Sequence, residues 1–218
     1  MVNYLKIISD SEKISDGMKA LVSEEMHHGI EVSNLAVKIA RELGEKDEFC
    51  DRIAIAGVVH DIGKMELTRH LFSKNTDTLV IEHIKYVRFH TEYSYKILMQ
   101  AGYPEDIAKA VYYHHENYDG SGYPDNLRGD NIPWMARIIR ACDVFAALTS
   151  DRSYRKAFDT KTAIDIMIDE VADYDMRVFL AFQRIFHREN GFDREMLRNS
   201  VNELQSRQLE LFIKEAGH

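Results

Sequence analysis

From Glu31 to Gly44, EVSNLAVKIARELG, the apolar residues Val32, Leu35, Ala36, Ile39 and Ala40 recur at intervals of three and four. That spacing puts one apolar stripe on an α-helix, and Gly44 sits where such a helix would stop. Comparable patterns run through DRIAIAGVV (51–59), TLVIEHIKYVRFHTEYSYKILMQ (78–100), PEDIAKAVYYHH (104–115), MARIIRACDVFAALTS (135–150), TAIDIMIDEVA (162–172) and MRVFLAFQRIF (176–186). No window alternates as a strand would. The three prolines, Pro104, Pro124 and Pro133, fall close together, so irregular structure is expected there, with long helices on either side. The pattern predicts an all-α helical bundle of seven or more helices, without repeats or low-complexity tracts.

The ends of the chain read differently from the middle. Residues 191–218 contain FDREMLRNSVNELQSRQLELFIKE, one more amphipathic helix with Leu197, Val201, Leu204 and Leu211 near one side. Such a helix either caps the domain or forms a contact with a second copy or a signalling partner. Residues 1–19 read as an N-terminal helical segment with the same alternatives, which leaves 20–190 as the main domain.

Composition narrows the class. At 218 residues, 45% hydrophobic and 29% charged, the chain can bury a real core. No apolar run approaches the roughly 20 residues of a membrane span, and the polar N-terminus does not read as a secretory signal. The expectation is a cytoplasmic protein with no membrane contact. Cys50 and Cys142 lie far apart without a CxxC pattern, so they read as small core residues in a reducing compartment, not as a thiolate zinc site. A formal charge of −8 argues against DNA or RNA polymers as partners, though it leaves room for a small phosphate ligand.

The histidines carry the chemistry. His60 and Asp61 end an apolar helical pattern in VVHDIGK, where two buried polar groups need something to satisfy them. Glu24 and His28 are four apart and share a helix face. His90 lies in the 78–100 pattern, His114 and His115 close the one beginning near Pro104, and Asp143 interrupts the apolar IIRACDVFAAL. These nitrogen and oxygen donors suffice for at least two metals, and without thiolates they suit iron, manganese or another octahedral divalent ion better than structural zinc.

The order H, HDIGK, H, HHE, DGSGYP, D, then ALTSDRSYRKA, closely resembles the HD-GYP family, a branch of the HD superfamily of metal-dependent phosphohydrolases. The resemblance covers roughly residues 20–190. It implies that His28, His60, Asp61, His90, His114, His115 and Asp143 are metal ligands, with Asp61 bridging two ions and also catalytic. His28 is preferred to His27 because Val32 and Ala36 follow it at the family's spacing. Glu24 corresponds to a glutamate of the subset that holds a third metal, so the resemblance implies two or three divalent ions. It gives Lys64 a catalytic, phosphate-contacting role and makes Gly122, Tyr123, Arg152 and Arg155 substrate-binding residues, while His70, His83, His187 and His218 have no motif context.

Two positions depart from the family's pattern. Ala146 stands where members commonly have aspartate (DVFDAL), and Ser153 replaces the proline of RPYR. The activity implied is hydrolysis of cyclic di-GMP to linear pGpG and onward to GMP, in bacterial second-messenger signalling. A cyclic GMP-AMP substrate, a weakly active or inactive nucleotide-binding signalling module, and a generic HD nucleotidase or phosphatase are the alternatives.

Overall fold

A computed structural model describes residues 16–65, 88–151 and 155–188, with side chains from residue 23 onward. Seven α-helices are found among them: α1 Asp16–Glu42, α2 Asp47–Val59, α3 His90–Gln100, α4 Glu105–Tyr112, α5 Trp134–Thr149, α6 Thr160–Asp169 and α7 Met176–Arg188. Short 3-10 turns occur at Gly129–Asn131 and Val171–Asp173. The described residues therefore have the all-α architecture expected, and none of their helices is long and apolar enough to cross a membrane.

The helices stop where the sequence says they should. Gly44 has φ +82°, Gly44 N–H donates to Arg41 O (3.0 Å), and Glu45 N–H donates to Ala40 O (3.0 Å). That pair of bonds satisfies the last carbonyls of α1, and the left-handed backbone it requires is easy only for glycine. At the other end, α1 begins at Asp16, so a boundary at residue 19 falls inside a continuous helix. The 78–100 pattern yields α3 only from His90; residues 66–87 lie outside the described residues, as do His70, His83 and the tail from 189.

Helix α5 is the hub, packing against α1, α2, α4, α6 and α7, while α3 lies on α4. Its buried face joins Ile138, Ile139, Cys142, Phe145 and Ala146 to Leu35 and Ile39 of α1, Ile53 of α2, Val111 of α4 and Phe182 of α7 in one core. The start of α5 is fixed by buried Arg137, which donates to Ile132 O (2.8 Å), Asp130 (2.5 Å) and Asp175 (2.9 Å). Burial of a charge this deep is tolerable because every side of the guanidinium meets an acceptor.

Phe182 is fully buried, with its ring 4.9 Å from that of Phe145. Phe182→Ala is therefore expected to destabilise the fold by about 3–5 kcal/mol. Urea unfolding of wild type and variant measures this as a fall in the midpoint at unchanged slope.

Candidate metal centre

Five separate stretches of chain deliver side chains to one point. His28 comes from the middle of α1, His60 and Asp61 from the end of α2, His90 from the first position of α3, and Asp143 from α5. His114 and His115 follow α4 in a turn. Ser94 ties two of these stretches together: its hydroxyl donates to His60 O (3.1 Å) and accepts from Gly63 N–H (2.8 Å). Thus the turn carrying His60 and Asp61 is bonded to the helix carrying His90.

The donor atoms form two groups that share one carboxylate. Asp61, His90, His114 and His115 make one, and His28, His60, Asp61 and Asp143 make the other; within each, one donor atom per residue lies within 4.8 Å of all the others. Asp61 Oδ1 faces His90 Nε2 (3.1 Å) and His114 Nε2 (3.8 Å), while Oδ2 faces His60 Nε2 (3.1 Å) and Lys64 Nζ (2.5 Å). Asp143 approaches His28 Nε2 (2.9 Å), His60 Nε2 (3.7 Å) and His115 Nδ1 (3.9 Å). Backbone carbonyls orient two of the imidazoles: His60 Nδ1–H donates to Gly57 O (2.8 Å) and His114 Nδ1–H to Val111 O (2.6 Å). Each bond turns Nε2 inward, the arrangement a metal-ligating histidine needs.

Charge distribution follows from burial and proximity. Burial would raise the Asp61 carboxyl, but the charges of His60 and Lys64 hold it well below the usual carboxylate range. Asp143 is likewise held low against the effect of burial, by its hydrogen bond from His28 and by His60. Burial lowers His60, yet Asp61 and Asp143 overcome this and raise it to about 10. Burial drives His114 well down and His115 to about 3, so both imidazoles are neutral donors at neutral pH.

Several buried atoms at this point make no hydrogen bond among the described residues. Glu25 Oε2, His28 Nδ1, His60 Nε2 and Asp61 Oδ1 are buried without a hydrogen bond, and the close approach of His60 to Asp61 does not have hydrogen-bond geometry. Leaving such atoms unpaired costs roughly 1–3 kcal/mol apiece, which a cation coordinated between them would offset. The donor set, imidazole and carboxylate without thiolate, fits divalent metal ions.

Two of the expected site residues lie outside the donor groups. Glu24 is exposed and belongs to neither group. Its neighbour Glu25 is the inward one, 3.7 Å from Lys64 Nζ, because a residue three before His28 shares its helix face as well as one four before. The Arg155 guanidinium donates to Ala147 O (2.9 Å), Leu148 O (3.0 Å) and Lys156 O (2.8 Å) and packs on Phe158. The carbonyls ending α5 need donors, and Arg155 supplies them. Arg152 lies outside the described residues, and Ala146, buried at 3% exposure, belongs to the core. His27 is on the surface, bonded to Ser23 O (2.6 Å).

Sequence reasoning also missed residues that build the loop 116–129. Buried Glu116 accepts from Asp125 N–H (2.7 Å) and Leu127 N–H (3.0 Å), and so pins the loop under itself. Its place in HHE, directly before a glycine-rich stretch, was the available signal. Arg140, one turn before Asp143, donates to Asn117 Oδ1 (2.8 Å), which ties the loop to α5. A Cβ on Gly122 would overlap His115 O, Glu116 Cα and Asn117 N, so only glycine lets the strands of the loop close. The following Tyr123 bonds His115 O through its N–H (3.1 Å) and stacks on the His115 ring at 4.8 Å and 29°.

A sequence model described as HD domain matches residues 4–178. The chain belongs to the HD domain family. It is 33% identical over 156 residues, 71% of this chain and 37% of the relative, to a cyclic di-GMP phosphodiesterase of Pseudomonas aeruginosa. It is 34% identical over 145 residues, 66% of this chain and 33% of the relative, to 3'3'-cGAMP-specific phosphodiesterase 1 of Vibrio cholerae. The chain thus spans about a third of the length of these curated relatives. Among solved structures, an HD-GYP-type protein of Bdellovibrio bacteriovorus has the same fold, with TM-score 0.60 at 19% identity over 75% of this chain and 52% of that one.

Because Asp61 and Asp143 raise His60 to about 10, an ion held at its Nε2 would displace a proton at neutral pH. Apparent metal affinity is expected to rise about tenfold per unit from roughly pH 6 to pH 9, as read by calorimetry in buffers of different ionisation enthalpy. Glu24→Ala should retain the full complement of bound metal, measured by elemental analysis.

Proposed function

We propose that this chain is a metal-dependent phosphodiesterase that hydrolyses cyclic di-GMP to linear pGpG and onward to GMP, in second-messenger signalling. The observation that carries the reading is a buried carboxylate, Asp61, whose two oxygens face two different sets of donors. In this reading His90, His114 and His115 would hold one ion and His28, His60 and Asp143 the other, with Asp61, common to both groups, available to each. Iron or manganese suits the donors, and two such ions when bound supply Lewis acidity and an acidified water beside the phosphorus.

The protein's own groups do the positioning. Lys64 stays charged, since Asp61 and Glu25 raise it above its usual value despite burial, and its ammonium sits beside the shared carboxylate. It is about a third exposed, so it can leave Glu25 and meet a non-bridging phosphoryl oxygen. The neutral imidazoles of His114 and His115 need no proton removal before they coordinate. Tyr123, fixed by Gly122 and His115, closes one side of the site and offers a ring edge to the substrate. The buried thiols Cys50 and Cys142 fit a reducing compartment such as the cytoplasm.

Relatives of equal identity named for 3'3'-cGAMP give a second reading, in which one guanine is replaced by adenine and the backbone chemistry is unchanged. Protein loaded anaerobically with iron or manganese is expected to convert cyclic di-GMP to pGpG, and Asp61→Ala to lower the rate by at least about 10³-fold. Product chromatography with cyclic di-GMP, 3'3'-cGAMP and simple nucleotides side by side decides between readings. Turnover of nucleoside monophosphates alone would make this a generic HD phosphatase.

A further inference from the structure

Arg88 has no place in the metal sets or the sequence motifs, yet its guanidinium lies 5.1 Å from the centre of the Tyr123 ring. That ring is itself stacked on His115. A planar cation and two aromatic rings therefore form a continuous assembly beginning at a metal-centre histidine and ending at an exposed side chain.

Both Tyr123 and Arg88 are tethered close in sequence to residues of the centre. Tyr123 has little freedom, because its N–H is bonded to His115 O and the glycine before it is wedged against Glu116 and Asn117. Arg88 is two residues before His90, and its carbonyl accepts from Thr91 Oγ1 (3.2 Å) at the start of α3. Tyr123 stacks on His115, whose Nδ1 lies 3.9 Å from Asp143, so the ring adjoins the donor groups and not a remote surface.

We propose that Arg88 and Tyr123 form a stacking platform for a purine base of the substrate, with the flat guanidinium as its outermost layer. The inference rests on the phosphodiesterase reading for the identity of the substrate, and it deepens that reading by naming what holds the base. A guanidinium is planar, weakly hydrated and stacks on aromatic rings, whereas an ammonium offers charge without a face. Base stacking of this kind tolerates either purine, so it serves a guanine or an adenine equally. Bound across Arg88, the base leaves its attached phosphodiester directed at Asp61 and Lys64.

The test uses metal-loaded wild type, Arg88→Ala and Arg88→Lys, with GMP and base-free ribose 5-phosphate as calorimetric probes. Wild type should bind GMP about tenfold more tightly than ribose 5-phosphate. Arg88→Ala should lose that advantage while keeping its ribose 5-phosphate affinity, and should raise the cyclic di-GMP KM about tenfold with kcat little changed. Equal weakening of both probes, no weakening of either, no preference for GMP in wild type, or full restoration of GMP binding by Arg88→Lys would overturn the platform. If the GMP preference behaves as expected but cyclic di-GMP is not cleaved, the platform stands and the phosphodiesterase reading falls.

Discussion

Two carboxylates, Asp61 and Asp143, are buried against five imidazoles, and the rest of the molecule is arranged around that fact. Neither carboxyl could stay ionised in an apolar core alone. Each does so here because His60, Lys64 and His28 supply positive charge or hydrogen bonds at short range. The reciprocal effect raises His60, while crowding and burial keep His114 and His115 neutral. A centre with this charge pattern attracts divalent cations and accepts them with little loss of protein hydrogen bonds, since key donor atoms have none to lose.

Holding these groups in register falls to the packing of α5 and its neighbours. α5 packs against α1, α2, α4, α6 and α7, so Asp143 is held by contacts from several helices. The turn after α2 is fixed separately, through Ser94 and α3. Because the ligands come from elements that share one core, local melting of any of these helices would remove a donor. Arg137 and Arg155 hold the two ends of α5 by giving donors to carbonyls and carboxylates there.

The loop after His115 turns a metal centre into a shaped site. Glu116 pins it from beneath, Arg140 holds Asn117 from the α5 side, and Gly122 lets it close tightly enough for Tyr123 to lie on His115. Such preorganisation lowers the entropy lost when a ligand docks, and it explains why an acidic residue follows the histidine pair. Ala146 bears on the core and not on this loop, so its departure from the common aspartate leaves the described ligand geometry intact.

Read by itself, the sequence determined the helical class and the stop at Gly44, and it singled out histidines and carboxylates that the fold brings together. These follow from local rules: a 3.6-residue period, a left-handed glycine, and polar groups that would be costly at the ends of apolar helices. The choice of His28 over His27 was also legible, since only one of two adjacent helical residues can face the core. Tertiary structure decided the rest. Glu24 and Glu25 are both close enough in helical phase to His28, and only the position of Lys64 on another element selects Glu25. Arg155 could serve a phosphate or a helix end until the carbonyls of α5 were seen to claim it. Arg88 and Tyr123 lie 35 residues apart, and no local period could announce that a cation from one helix start would rest on a ring from a distant loop.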